Sequence, residues 1–392
     1  MNKQHIDVIS KYFWPANAGI EVNIKETYKL LAKTWDITLH TSTDTLTDHN
    51  VLSKDEVILG MKVKRYLFGT FGYFPKIDWS KTGLVCFHNF NVFYLFILIY
   101  IGILKSLGKK KFGVILTPHG GFTPEWTIYP KIMVLFKKSY HYSLGTFLIN
   151  HVVDQVRAVS VWEKNEIISH GVKPEKVNII SNGLEDEAYL NLEKLASKEI
   201  KMTVKKLGRY LIQVGRIYVI KNYETTIRAL VHLPKDVKFV IAGGIEGNTE
   251  YLDSLKSLIA ELGLTKRVIF IGIVRGVDKY YLMKHAQMMV HMALWESFCN
   301  VVHEGMSQGL VCLVANNTAL PLLIEEGKNG FCIETKDHLE LAKKIVYVLN
   351  NKNTTRIKQI EVLNRKIGLQ DSWVKVASKM NKLYQQTIMR RE

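Results

Sequence analysis

Apolar residues along this 392-residue chain fall into short runs separated by stretches of helical period. In the first half, His5–Ser10, Ile37–Thr41, Lys62–Tyr66, Gly83–Phe87, Gly113–Thr117 and Ala158–Ser160 read as strands, with a helix from Glu21 to Lys33 and another running towards His170. The rhythm resumes with Tyr210–Val214, Val237–Ala242, Val268–Ile271, Met288–Met292 and Leu310–Val314, separated by helical segments such as Tyr251–Leu262. Such alternation predicts an α/β protein with parallel sheets and helices on both sheet faces. The lysine-rich stretch Glu193–Lys206 has few large apolar residues and reads as a linker. The expected organisation is therefore a first domain over 1–192, a linker over 193–206 and a second domain over 207–370, the two facing across a cleft. The amphipathic helix Trp373–Met389, within 371–392, is expected to return to the first domain.

Length supports two domains, because 392 residues exceed one ordinary core. A formal charge of +17, from 53 basic and 36 acidic residues, predicts attraction to phosphates, nucleic acid or an anionic membrane face. No basic-aromatic repeat or nucleic-acid module accompanies that charge, so nucleic acid is not an expected partner. Cys86, Cys299, Cys312 and Cys332 show neither metal-ligand spacing nor disulfide density, which suits a reducing compartment. Asn2–Asp7 is polar and Val8-Ile9 too brief for a signal core, while Val92–Leu104 is short for a membrane span. The expectation is a cytoplasmic protein, peripheral on the cytoplasmic membrane face. Lys105, Lys109–Lys111 and the basic-aromatic Lys131–Phe147 segment would dock it on anionic lipid. A buried helix over Val92–Leu104, with surplus lysine serving solubility, is the alternative.

Candidate chemistry gathers where predicted strands end. Strand Met288–Met292 and helix Val301–Gln308, stopped by Gly309, place Glu296 in a connecting loop and Glu304 one turn into the helix. The helix start would aim backbone N–H groups of Phe298, Cys299, Asn300 and Val301 outward, which favours a phosphate. Beside it, Glu304 suits a ribose diol and Glu296 the hydroxyls of a transferred sugar; the alternative is that both merely complement the helix dipole. Arg216 and Lys221 follow strand Tyr210–Val214 and are placed to clamp a diphosphate, or are ordinary surface cations. Gly243 ends another strand, where a missing side chain admits a ligand or simply makes a turn. His119, before Gly120-Gly121, suits a hexose hydroxyl or a structural turn, and Gly19 opens a helix whose backbone would face a phosphate. No metal-ligand cluster, phosphate loop or nucleophile elbow is evident, so neither metal nor cofactor is expected.

In order along the chain, Ala18-Gly19-Ile20-Glu21, His119-Gly120, Val159–Glu163, Ile180–Glu185, Val214-Gly215-Arg216, Lys221-Asn222, Ile271-Gly272, Glu296 with Glu304, Asn329-Gly330-Phe331 and Ser372-Trp373 resemble the retaining glycosyltransferases of family 4, the glycogen-synthase and mannosyltransferase-like group. The resemblance covers nearly the whole chain. It implies a GT-B fold, a nucleotide-sugar donor with UDP favoured and GDP-mannose possible, and a saccharide or lipid-linked acceptor. The transferred sugar would be a hexose or N-acetylhexosamine, in surface polysaccharide or glycolipid synthesis. By the same resemblance, Arg216 and Lys221 bind the diphosphate, Glu304 the ribose, Glu296 the sugar, and His119 lies near the reaction centre. The Phe298–Val301 backbone would touch phosphate and sugar, and Phe270–Val274 the base. Ala18, Cys299 and Glu185 depart from the family's usual glycine, glycine and aspartate. A non-catalytic sugar-nucleotide-binding subunit and a sugar-nucleotide epimerase are the rival readings.

Overall fold

The computed structural model describes residues 3–390 apart from 17, 46–48, 50, 71, 109–110 and 246–248. The chain divides into two compact units, Met1–Gly183 with Trp373–Glu392, and Leu184–Ser372.

The first unit holds strands β1 (His5–Ile9), β2 (Asp36–Ser42), β3 (Asp55–Ile58), β4 (Met61–Tyr66), β5 (Thr82–His88), β6 (Gly113–Thr117), β7 (Gln155–Ala158) and β8 (Val177–Ile179). Their order is β3-β4-β2-β1-β5-β6-β7-β8, parallel except for the β3–β4 pair. Strand order reverses direction between β1 and β5, so the loops leaving these neighbours part and open a crevice at their carboxyl ends. Trp373, Val376, Met380, Leu383 and Tyr384 of the last helix, Trp373–Met389, are buried in one cluster with Ile24, Tyr28 and Leu31 of helix Gly19–Leu31. Their spacing puts them on one stripe of a 3.6-residue period, which is why this helix returns to the first unit.

The second unit holds β9 (Tyr210–Val214), β10 (Lys238–Ala242), β11 (Val268–Gly272), β12 (Met288–His291), β13 (Cys312–Ala315) and β14 (Gly330–Ile333). The order β11-β10-β9-β12-β13-β14 is parallel throughout and is that of a dinucleotide-binding sheet, with its switch point between β9 and β12.

Several expectations need correction. The stretch Glu193–Lys206 is no linker: it lies in helices Leu192–Leu195 and Lys198–Leu207, and the second unit begins at Leu184. Leu192, Ala196, Ile200 and Leu207 are buried, so a few apolar positions at helical spacing suffice to dock a lysine-covered helix. The strand expected at Ala158–Ser160 lies earlier, over Gln155–Ala158, and is built around Arg157, a fully buried cation that disguises it in the sequence. Strands β3, β8 and β14 were not foreseen; β3 carries acidic residues on an exposed edge, and β8 has only three residues. Val92–Ser106 is a helix with Phe93, Tyr94, Leu95, Ile97, Leu98 and Ile101 in the core, while Phe96, Tyr100 and Ile103 are exposed.

Candidate active site

In the second unit, the loop after β9 is folded tightly onto its neighbours. A Cβ at Gly243 would fall 1.8 Å from the Gly215 carbonyl oxygen, so the backbone contact alone requires glycine there. Asn222, left-handed at φ 47°, donates to the Met292 carbonyl at 2.8 Å and accepts from Thr225 Oγ1 at 2.9 Å. This ties the turn Val219–Lys221 to the end of β12. Lys221 Nζ consequently reaches Glu296 Oε1 at 2.5 Å, and His291 Nε2 approaches the same oxygen at 2.9 Å. The Glu296 amide donates to Thr318 Oγ1 at 3.0 Å, fixing backbone as well as side chain. Burial works against the Glu296 charge, but the Lys221 ammonium and the His291 hydrogen bond outweigh it and hold the carboxyl at about 2. Arg216 sits exposed in the same loop, its carbonyl accepting from the Tyr223 hydroxyl at 3.2 Å.

His291, Glu296 and Cys299 offer three potential ligand atoms within 4.8 Å of one another. The Lys221 ammonium already lies on the Glu296 oxygen, and burial foremost raises the Cys299 thiol, so the donor set suits ammonium better than a divalent cation. Cys299 takes φ 70° at the N-cap of helix Asn300–Ser307, which starts one residue before the expected Val301. That left-handed position is where glycine costs least, and here a cysteine holds it. The first donor to a carbonyl of this helix is His303, to Cys299 at 3.4 Å, and the Val302 amide donates to the Cys299 sulfur. Phe298 is buried edge-on against His303.

Glu304 is buried with its Oε1 3.0 Å from Lys279 Nζ, while its Oε2 has no hydrogen-bond partner among the described residues. Lys279 Nζ also lies 2.7 Å from Glu185 Oε2. Burial pushes the Glu304 carboxyl up, Lys279 opposes this, and the Glu185 charge adds to it.

In the first unit, His119 follows β6 in a left-handed conformation, φ 52°. Its Nε2 is 2.9 Å from His88 Nδ1, His88 Nε2 is 2.9 Å from the Tyr28 hydroxyl, and Tyr28 meets Tyr384 at 2.7 Å. Burial pushes His88 down to about 3 and His119 well below its ordinary value, so both rings are neutral at pH 7. One ring must then donate to the other, and the tautomer of His119 is tied to the hydroxyls behind it. The Gly120 amide donates to Glu163, whose other carboxylate oxygen accepts from the Val159 amide at 2.7 Å. Gly19 opens helix Gly19–Leu31 beyond β1, with the Ala18 amide donating to Glu21 Oε2 at 3.2 Å.

Thus Lys221 and Glu296 come into direct contact, and the first turn of the Asn300–Ser307 helix lies beyond the same strand ends as Arg216. His88, Tyr28, Tyr384, Glu163 and Lys279 were not foreseen. Only Glu163 had a local signal, the Ser160-x-x-Glu163 spacing of a capping box; Ser160 Oγ does accept from the Glu163 amide, at 3.1 Å.

The family model for glycosyl transferases group 1 matches residues 197–361. An uncharacterized glycosyltransferase of Methanocaldococcus jannaschii is 25% identical over 91% of this chain and 92% of its own. A Campylobacter jejuni N-acetylgalactosaminyltransferase that acts on N-acetylgalactosamine-N,N'-diacetylbacillosaminyl-diphospho-undecaprenol is 28% identical over 47% of this chain and 48% of its own, so the match spans about half of that relative. The crystal structure of HepE from Anabaena with UDP and glucose superposes with a TM-score of 0.75 at 18% identity, covering 98% of this chain and 100% of that one. The chain therefore has the two-domain GT-B fold, its second unit is similar to group 1 glycosyl transferases, and these likenesses support glycosyltransferase activity.

Proposed function

We propose that this chain is a retaining, family 4 type glycosyltransferase that uses a nucleotide sugar, with a UDP-linked hexose or N-acetylhexosamine favoured and GDP-mannose the next candidate. The observation that carries the reading is the ionised Lys221–Glu296 pair at the switch point of a dinucleotide-type sheet, with the buried Glu304 on the following helix. Arg216 and Lys221 offset the charge of the departing diphosphate, Glu296 accepts from hydroxyls of the sugar and Glu304 from those of the ribose. The neutral His119 serves as a hydrogen-bond partner for a sugar hydroxyl. The glycosidic carbon passes through an oxocarbenium-like state, and the acceptor's proton goes to the leaving diphosphate, so no covalent nucleophile is needed. Two cations assigned to the diphosphate support a reaction that runs without a metal. Incubation with UDP- and GDP-sugars in EDTA, with NMR of the product linkage, tests the reading: an inverted linkage, or activity that requires an added divalent ion, overturns it.

The acceptor is a saccharide or a lipid-linked saccharide, used at a membrane surface. Helix Lys131–Tyr140 has no buried residue, and Ile132, Leu135 and Phe136 are 78%, 69% and 79% exposed beside Lys131, Lys137 and Lys138. Each lysine near an anionic bilayer contributes about 1 kcal/mol, and the apolar side chains add interfacial burial. Among the described residues no helix is long and apolar enough to cross a membrane, and Lys109 and Lys110 lie outside those residues. Co-sedimentation with anionic but not neutral liposomes, lost on changing Ile132, Leu135 and Phe136 to Ser, is the expected result.

A further inference from the structure

The Lys279 ammonium bridges two carboxyl groups from different elements, the half-buried Glu185 and the buried Glu304. Glu185 stands just inside the start of the second unit, Lys279 on helix Gly276–Lys284, and Glu304 on helix Asn300–Ser307. Lys279 Nζ is 2.7 Å from Glu185 Oε2 and 3.0 Å from Glu304 Oε1. An ion triad that served packing alone would satisfy both oxygens of each carboxylate. Here Glu304 Oε2 is buried and has no partner among the described residues, and Glu304 as a whole is only 8% exposed. Buried acceptors are rarely kept without a donor, and the two lone pairs of one carboxylate oxygen can accept both O–H groups of a vicinal diol.

We propose that Lys279 is a positioning residue for the nucleotide ribose, anchoring Glu304 by Oε1 so that Oε2 is presented to the 2′- and 3′-hydroxyls. This rests on the reading of Glu304 as the ribose carboxylate. Anchoring fixes the rotation of a side chain that would otherwise spend its hydrogen-bonding capacity elsewhere. It also favours the ionised carboxyl: besides Lys279, the groups acting on this cluster are Glu185, Tyr280, whose hydroxyl is 3.5 Å from Glu185 Oε2, and Glu187, which acts on Tyr280. With Lys279 removed, burial and Glu185 both favour a protonated Glu304, and a protonated carboxyl is the poorer acceptor.

Calorimetry on the full chain tests this with UDP against 2′,3′-dideoxy-UDP, and GDP against its dideoxy form. Wild type is expected to prefer the diol form by about tenfold or more at pH 7, the worth of one or two charge-assisted hydrogen bonds. Lys279→Met should bring that preference within about threefold, and raising the pH to 9 should restore part of it as Glu304 ionises again. Lys279→Met with Glu185→Gln relieves the like-charge contact, guarding against simple misfolding, and should lose the preference equally. A wild type indifferent to the diol, or binding neither nucleotide, overturns the ribose reading and the proposal with it. A wild type that discriminates, with variants that discriminate as well, overturns the role of Lys279 alone. Unfolding of both variants by circular dichroism also counts against it, since the triad would then serve the fold.

Discussion

At the strand ends of the first unit His88 and His119 are neutral at pH 7, whereas beyond β9 and β12 in the second unit Lys221 and Glu296 are charged. His88 is buried, His119, Lys221 and Glu296 are half-buried, and both sets follow strands of parallel sheets, so burial is not what separates them. The difference is the partner. His88 faces another imidazole and a phenol, and neither offsets the cost of a buried charge. Glu296 faces an ammonium at 2.5 Å, which more than offsets it. One sheet has thus been fitted with neutral donors and acceptors that suit hydroxyl groups, the other with charges that suit a diphosphate and a diol. A shared architecture says little about chemistry, and the partners of its strand-end residues say much more.

The largest expected effect comes from removing the charges of the second unit. Arg216→Ala combined with Lys221→Ala should lower turnover by about three orders of magnitude or more, at roughly 2 to 4 kcal/mol for each transition-state contact. Lys221→Ala alone also strands a buried carboxylate and should cost up to about 3 kcal/mol of stability. Lys221→Met with Glu296→Gln should recover most of that stability without activity. Near-normal transfer by the Arg216, Lys221 double variant would end the assignment of a charged donor site.

The next effect tests the exception in the first unit. Arg157 is fully buried and cationic, donating to the Ile180 carbonyl at 2.9 Å, Asn23 Oδ1 at 3.0 Å and Asn182 Oδ1 at 3.1 Å, with no carboxylate among these contacts. Arg157→Met should destabilise the protein by about 3 kcal/mol, because three buried hydrogen bonds are lost at once, although Asn182 Oδ1 keeps the Asn23 amide at 2.6 Å. A change below about 1 kcal/mol in urea unfolding would show that the network is not what holds Ile180–Asn182 against helix Gly19–Leu31.

These two effects also mark what was legible in the sequence. The β9, β10, β12 and β13 strands are predominantly apolar and declare themselves, and Glu296 and Lys221 sit in loops whose place follows from those strands. Arg157 broke the apolar pattern of β7 and moved the expected strand, since its acceptors lie 23 to 134 residues away. Lys279 was invisible for the same reason: its partners are 94 residues before it and a helix beyond it, and lysine on a helix ordinarily reads as solvated surface. Gly243, by contrast, stood out as a candidate, yet the Gly215 carbonyl explains it without a ligand. Periodicity encodes elements and their order, whereas ion pairs between distant segments leave no periodic trace.

A smaller effect separates the two glutamates. Glu304→Gln should weaken nucleoside diphosphate binding about tenfold, by loss of a charged acceptor. Glu296→Gln should leave that affinity unchanged or tighten it, because Lys221 is freed from its 2.5 Å contact, while sugar transfer slows. Calorimetry with the diphosphate, run beside donor turnover, decides between them; equal losses of affinity would contradict both roles.

The smallest effect concerns Glu163, where the contrast between the units narrows to two carboxyl groups. Glu296 is held at about 2 by its cation, whereas burial pushes Glu163 up to about 7 against the Val159 and Gly120 amides and the charge of Arg157. Glu163's folded value is raised above its ordinary 4.5, so its contribution to stability is fully present below 4.5 and is lost as the pH rises through about 7. Glu296 behaves oppositely: its contribution is present above 4.5 and is lost as the pH falls through about 2. Other groups, the buried histidines among them, titrate over the first window, so the useful quantity is the difference in unfolding free energy between wild type and Glu163→Gln. That difference should fall between pH 4.5 and pH 7, whatever its absolute size, since glutamine cannot accept from both amides. For Glu296→Gln the corresponding difference should be flat over that window. If the Glu163 difference is also flat, Arg157 and the two amides keep that carboxylate ionised, and the strand ends of the first unit are less neutral than their histidines indicate.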